Sequence, residues 1–265
     1  MAPTLNILLV GDIVGAPGLE LAVNLIPSYI KKYSVDLLIV NGENVTDGKG
    51  ISEEHAKKIF DMGAHVITTG NHVWDRWDSH KVLGSDRRIL RPLNYPRENG
   101  GSGFLVVDLG EKGKAAVLSI QGRVFMTPID DPFKSADWAI AKMHEETKVI
   151  VVDFHADATA EKMAMGWHLD GKVSAVIGTH THTPTADGRI LPRGTAFQTD
   201  VGMTGPYDSV LGMRKEQAIK RLLTATPHKY EVASHDVRLC AVYVQAEKET
   251  GRALAMESIV FPAFR

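Results

Sequence analysis

Val173-Ser-Ala-Val-Ile-Gly-Thr-His-Thr-His182 is an apolar, β-type run that ends at Gly178 and is followed by two histidines one residue apart. In an extended backbone, residues i and i+2 project to the same side, so His180 and His182 stand together where a buried strand stops. Neutral imidazole is the commonest protein metal ligand, and two of them begin a metal site. A His-x-His pair by itself lines a polar surface edge just as readily. The decision rests on what the rest of the chain brings to the same place.

Four other apolar runs end in the same way. Residues 5–10 are broken by Gly11-Asp12, residues 36–40 by Asn41-Gly-Glu-Asn44, residues 65–69 by Gly70-Asn-His72, and residues 148–153 by Phe154-His155. Between the first three, apolar residues recur at helical spacing over 17–32 (Leu21, Leu25, Ile26, Tyr29, Ile30), and Ser52 is placed to cap a helix through Phe60. Pro27 is expected to kink or break the first of these helices. A βαβαβ order predicts a parallel sheet with right-handed crossovers. Further helices are predicted over 135–147, 158–169 and 215–223. Residues 104–109 with 115–120 read as a hairpin, as do 239–246 with 253–261, and 196–199 as a short strand. One domain over residues 1–265, with parallel and antiparallel strands, fits this order.

Ligands of α/β sheets sit in the crevice beyond the carboxyl ends of the strands. Five segments therefore deliver Asp12, Glu43, Asn71, His155 and the pair His180/His182 to one edge. Singly, Asp12 reads as a turn residue, Asn71 as a loop amide partner and His155 as a core histidine; together they read as a metal site. The set contains no thiolate, which disfavours a structural zinc site and suits manganese, iron or zinc in a catalytic one. The donors are too many for one ion that keeps an open position. Two ions about 3.5–4 Å apart, bridged by a carboxylate, would use them all, clamp a phosphoryl oxygen and supply a hydroxide nucleophile near neutral pH.

Composition narrows the function. Thirty Lys and Arg against 32 Asp and Glu give a net charge of −2, which argues against a protein that holds nucleic acid mainly by a basic surface. Cys240 is the only cysteine, so no intrachain disulfide forms, and its apolar, alternating surroundings mark it as a buried small hydrophobe. The N-terminus lacks signal-peptide character, and no apolar run approaches the ~18 residues of a membrane span. The expectation is a cytoplasmic protein with no membrane partner.

The motifs Gly11-Asp12, Gly42-Glu-Asn44, Gly70-Asn-His-Val-Trp-Asp75, Asp153-Phe-His-Ala156, Gly178-Thr-His-Thr-His182 and Thr199-Asp-Val-Gly-Met-Thr-Gly-Pro206 resemble the calcineurin-like metallophosphoesterases, and most closely their YmdB branch of bacterial phosphodiesterases. The resemblance spans nearly the whole chain. It implies a four-layer α-β-β-α sandwich with two mixed sheets, an α/β fold. It also implies two metal ions per chain, one held by Asp12, Glu43, Asn44 and His182, the other by Glu43, Asn71, His155 and His180. Val14 stands where the wider superfamily has a histidine ligand, with Asn44 as its replacement, and Glu43 stands where that superfamily bridges with an Asp. The oxygen-richer first site leans to iron or manganese over zinc.

His72, next to Asn71, is the candidate acid that protonates the leaving oxygen, its imidazole oriented by Asp75 or Asp47. The implied substrate is a small nucleotide phosphodiester, a 2′,3′-cyclic nucleoside monophosphate or an RNA end, and self-association is implied as well. A metal-dependent phosphomonoesterase or protein phosphatase, and a regulatory RNA-binding protein with incidental catalysis, are the competing readings. Residues 199–206 are a candidate phosphate-binding loop. Trp74, Trp77, Trp138 and Trp167 read as packing residues, the first two standing next to the site.

Overall fold

The computed structural model describes residues 3–264. In chain order its elements are β1 (Thr4–Val10), α1 (Gly15–Tyr33), β2 (Leu37–Asn41), α2 (Glu53–Asp61), β3 (Val66–Thr68), α3 (Ser79–Ser85), β4 (Ile89–Leu90), β5 (Phe104–Asp108), β6 (Lys114–Gln121), α4 (Pro132–Met143), β7 (Ile150–His155), α5 (Thr159–Leu169), β8 (Ala175–Thr179), β9 (Arg189–Ile190), β10 (Ala196–Gln198), β11 (Gly205–Pro206), α6 (Lys215–Thr224), β12 (Val237–Glu247) and β13 (Ala253–Phe261). One sheet runs β11-β12-β1-β2-β3-β4 with β13 on β12; the other runs β5-β6-β7-β8-β10-β9. Both are mixed. β1 to β4 are parallel, while β12 lies antiparallel to β1; β6, β7, β8 and β10 are parallel, with β5 and β9 antiparallel at the edges.

Three apolar layers make this a four-layer α-β-β-α sandwich. Strand alternation divides each central strand between two of them. Leu8 and Val10 face α1 and α2, while Leu5, Ile7 and Leu9 face the second sheet. Leu118 and Ile120, with Ile150, Val152 and Phe154, pack under α4 and α5, while Val117 and Val151 turn back to the shared centre. Strands buried on both faces read as continuous apolar runs, which is why they stand out in the sequence.

Local chemistry sets the helix limits. Ser52 caps α2, its hydroxyl accepting from His55 N, as its position predicts. α1 runs unbroken through Pro27. Pro27 lies on the exposed face of α1, as does Val23, whose carbonyl the proline leaves without its helical partner, so the lost hydrogen bond falls on the side open to solvent. α4 begins three residues before the predicted 135, because Asp131 accepts from Phe133 N and Lys134 N and Pro132 occupies the first turn. Cys240 is buried, as expected. Among the described residues no helix is long and apolar enough to cross a membrane.

One buried ion pair fixes the strap that carries His180 and His182. Lys162 occupies the buried face of α5 with Met165, Gly166 and Leu169. Its ammonium donates to Asp200 Oδ2 at 2.6 Å and to the carbonyl of Thr179 at 2.7 Å. Asp200 also accepts from Thr181 N (3.0 Å) and Gly202 N (2.8 Å), so each charge has more than one hydrogen-bond partner. Removing one partner strands the other charge in the interior. Lys162→Met is therefore expected to lower unfolding free energy by about 3–5 kcal/mol in urea titrations. A loss below about 1 kcal/mol, the size of a surface pair, would show that the pair is not a brace.

Candidate metal centre

All the sequence-selected residues except His72 are polar groups drawn into the carboxyl edge of the two sheets. Asp12, Glu43, Asn44, His155 and His182 are buried, while Asn71 and His180 are half-buried. Asp12 follows β1, Glu43 and Asn44 follow β2, His155 ends β7, and His180 and His182 follow β8. Asn71 opens a one-turn 3-10 helix, 71–74, just after β3. Gly70 admits that turn: a side chain there would meet the His155 ring and Glu43 Oε2 at under 2.5 Å. Gly178 does the same for the strap, since a Cβ would lie 1.7 Å from the carbonyl oxygen of Thr199. His180 (φ 99°) and His182 (φ 63°) both take left-handed backbone, a costly state for residues with a Cβ that the surrounding structure must impose.

Donor atoms converge on His155 Nε2. Asn71 Oδ1 lies 2.9 Å away, Glu43 Oε1 3.0 Å and His180 Nδ1 3.0 Å. One N–H cannot point at three acceptors, whereas a cation among four donors satisfies all of them, and carboxylate, amide and imidazole donors suit one. Glu43, His155 and His180 form a group of metal-binding geometry. A second group hangs from the same carboxylate. Asn44 Nδ2 is 3.3 Å from Glu43 Oε1 and 3.0 Å from His182 Nε2. Turning the Asn44 amide over exchanges its oxygen and nitrogen and presents Oδ1 to the same place. Asp12 completes the set: Oδ2 accepts from His180 N at 3.1 Å, while Oδ1 is buried without any hydrogen-bond partner. A buried carboxylate oxygen with no hydrogen-bond donor fits the role of a cation ligand.

Electrostatics carries the same mark. Burial pushes the Asp12 carboxyl up to about 6, with nearby His155 and His182 pulling the other way. Burial also opposes the charge on Glu43, but the adjoining His155 outweighs it and holds the carboxyl down at about 2. His155 is correspondingly raised to about 9 against its own burial, mainly by Glu43. His180, desolvated and facing His155, is lowered to about 3. The shifts share one cause, titratable donors crowded into one buried space, where a bound cation would compete with protons for the same lone pairs.

A layer behind the donors fixes their orientation. His155 Nδ1–H donates to Thr179 Oγ1 (2.9 Å), and that hydroxyl donates to Asp153 Oδ1 (2.7 Å). His182 Nδ1–H donates to the carbonyl of Leu211 (3.0 Å), which leaves its Nε2 as the free lone pair. The sequence alone assigns no role to Asp153 or Lys162, although both carry a signal. Asp153 interrupts an apolar strand two residues before His155, and Lys162 sits at core spacing on a helix.

His72 stands beside this cluster, its side chain 31% exposed. Its amide donates to Glu43 Oε2 (3.2 Å), and its Nδ1 lies 2.8 Å from Asp75 Oδ2, so Asp75 rather than Asp47 is its partner. The 199–206 stretch is not a phosphate loop. Its amides are already committed: Val201 to Gly178 O, Gly202 to Asp200, Met203 to His182 O and Thr204 to Asp12 O. Its work is to brace Asp12 and the strap. Trp74 packs between Tyr95 and His80, and Trp77 is 91% exposed; neither lines the cleft that opens from the donor cluster.

Sequence and fold both relate the chain to known proteins. A 2′,3′-cyclic-nucleotide 2′-phosphodiesterase of Bacillus subtilis is 44% identical over 256 residues, 97% of each chain. The crystal structure of a novel phosphatase from Mycoplasma pneumoniae superimposes with a TM-score of 0.92 at 34% identity, covering 98% of this chain and 94% of that one. A hypothetical protein of Thermus thermophilus gives a TM-score of 0.90 at 38% identity, covering 97% and 99%. The profile of YmdB-like proteins matches residues 8–259, and the chain belongs to that family.

Proposed function

We propose that residues 1–265 form one metal-dependent phosphodiesterase domain that hydrolyses 2′,3′-cyclic nucleotides. The observation that carries this is the convergence of Glu43, Asn71 and His180 on His155 Nε2, with the bare Asp12 Oδ1 beside them. The name of the Bacillus subtilis relative supports the substrate class. In this reading Asp12, Glu43, Asn44 and His182 hold one ion, and Glu43, Asn71, His155 and His180 hold the second. Iron or manganese suits the oxygen-rich donor set, and a reducing cytoplasm suits a chain with one buried cysteine. Bound metal ions supply Lewis-acid charge to the phosphoryl oxygens and lower the pKa of water.

The chain's own residues do the rest. Glu43, Asp12, the two asparagines and the three histidines would hold the ions at the sheet edge, and Asp75 holds the His72 ring through Nδ1. That leaves His72 Nε2 to deliver a proton to the departing ribose oxygen. A phosphomonoesterase is the second reading, resting on the description of the Mycoplasma pneumoniae structure as a phosphatase.

Purified protein should contain two equivalents of metal by elemental analysis. A chelator should abolish hydrolysis of 2′,3′-cyclic AMP, and manganese or iron should restore it. Faster turnover of phosphate monoesters than of diesters would overturn the diesterase assignment. His72→Ala should lower kcat about 10²–10⁴-fold with both metals retained, and should cost less on bis-p-nitrophenyl phosphate, whose leaving group needs little proton assistance. Loss of metal in step with activity would make His72 a ligand instead.

A further inference from the structure

The cleft at the donor cluster is larger than a cyclic mononucleotide needs. Its volume is about 1010 Å³. Pockets for ligands the size of a nucleoside cyclic phosphate run about 300–1,000 Å³, so this one stands at the upper limit. Glu43, Asn44, His72 and His180 lie on one side, with Asp47 and Asp157 among the lining groups. Arg221 from the last turn of α6, then His228, Lys229 and Tyr230, come from a separate stretch of chain.

That second wall has a distinct chemistry. The Arg221 guanidinium lies 5.0 Å from the Tyr230 ring centre, and Tyr230 is 36% exposed. The acid of this wall, Glu231, is already engaged by Arg214 at 2.9 Å. Among the described residues, Arg221 and Lys229 take part in no ion pair; Lys229 lies in the field of Glu231 and the Arg221 guanidinium sits over the Tyr230 ring, so the wall presents positive charge joined to an aromatic group. Cationic side chains beside a stacking ring are how single-stranded nucleic acid is held: charge meets the backbone, and the ring meets a base.

We propose that this wall binds the nucleotide on the 5′ side of a terminal 2′,3′-cyclic phosphate, so that the substrate is the 3′ end of a short RNA. This rests on the phosphodiesterase reading above and deepens it. Arg221 and Lys229 meet the internucleotide phosphate, and the penultimate base stacks on Tyr230. Water adds its oxygen to phosphorus and releases a proton, the bond from phosphorus to O2′ breaks, O2′ takes its proton from His72, the proton released by water restores His72, and the RNA is left with a 3′-phosphate. A cyclic phosphate needs both ribose oxygens, which restricts the substrate to RNA. The reaction class that supplies it is internal attack of an RNA 2′-hydroxyl on its own 3′-phosphodiester. A net charge of −2 is compatible, because two or three phosphate contacts suffice for an end and not for a long duplex.

The test compares kcat/KM of the metal-loaded full chain for 2′,3′-cyclic AMP and for the dinucleotide ApA carrying a 2′,3′-cyclic phosphate. The dinucleotide should be preferred by about tenfold or more, chiefly through KM, and the preference should shrink as salt rises. The double variant Arg221→Ala/Lys229→Ala, and separately Tyr230→Ala, should each bring the two substrates to within about threefold, with Tyr230→Phe keeping the preference. The ratio is taken within one preparation, so partial loss of folded protein cancels. Equal use of both substrates by the unmodified chain, or variants that slow both in the same proportion, would overturn the proposal while the phosphodiesterase reading stands. Hydrolysis of neither substrate would remove that reading and this one together.

Discussion

A single buried carboxylate ties the two sheets together where the chemistry is assembled. Asp153 accepts from Asn41 Nδ2 (2.9 Å) and Thr68 Oγ1 (2.5 Å) of one sheet and from Thr179 Oγ1 (2.7 Å) of its own. Burial pushes its pKa up, and the three donors and nearby His155 work against that shift. From this one group two functional side chains take their positions. Asn41 turns its oxygen to Glu43 N (3.1 Å), and Thr179 receives His155 Nδ1–H. The apolar layer between the sheets sets their separation, and Asp153 sets their registration at the carboxyl edge.

The cost of this edge is visible in the backbone around it. His180 and His182 both adopt left-handed conformations, and Gly178 and Gly70 sit where any side chain would collide. Such states persist only when neighbours over-determine them. The neighbours are the Lys162–Asp200 pair beneath the strap and the 199–206 stretch, whose amides hold His182 O and Asp12 O. A buried ion pair contributes little net stability compared with an apolar pair of the same shape. Here it does something an apolar pair cannot, since its ammonium also fixes the Thr179 carbonyl and its carboxylate fixes Thr181 N.

The sequence shows most clearly what has a period. Strands buried on both faces, the Ser52 cap and the two hairpins are local, and all are where the pattern places them. The clustering of Asp12, Glu43, Asn44, Asn71, His155, His180 and His182 is legible because each ends an apolar strand. What is not legible depends on pairing across long distances. β4, β9 and β11 are two residues each and exist through their partners. α1 carries Pro27 because that position faces water, which no linear pattern reveals. The 199–206 stretch looks like a phosphate loop from its glycines, but the amides of Val201, Met203 and Thr204 are taken by carbonyls of Gly178, His182 and Asp12, far off in the chain, and that of Gly202 by the nearby Asp200 side chain.

The two sides of the cleft are built to different standards of rigidity. The donor edge is buried, hydrogen-bonded from behind and held by strained backbone. The wall from α6 to Tyr230 is lightly packed: Ala218 is the one buried residue of α6, and Leu222 and Leu223 are 78% and 82% exposed. Groups that hold metal and phosphorus need fixed positions to within fractions of an ångström, because misplacement costs rate steeply. Groups that stack on a base or meet a phosphate tolerate movement, since neither interaction is sharply directional. On the reading proposed above, chemistry is placed on the sheets and selection on the surface wall, so that side chains of the wall can change without disturbing the Asp153 seam on which the donor edge depends.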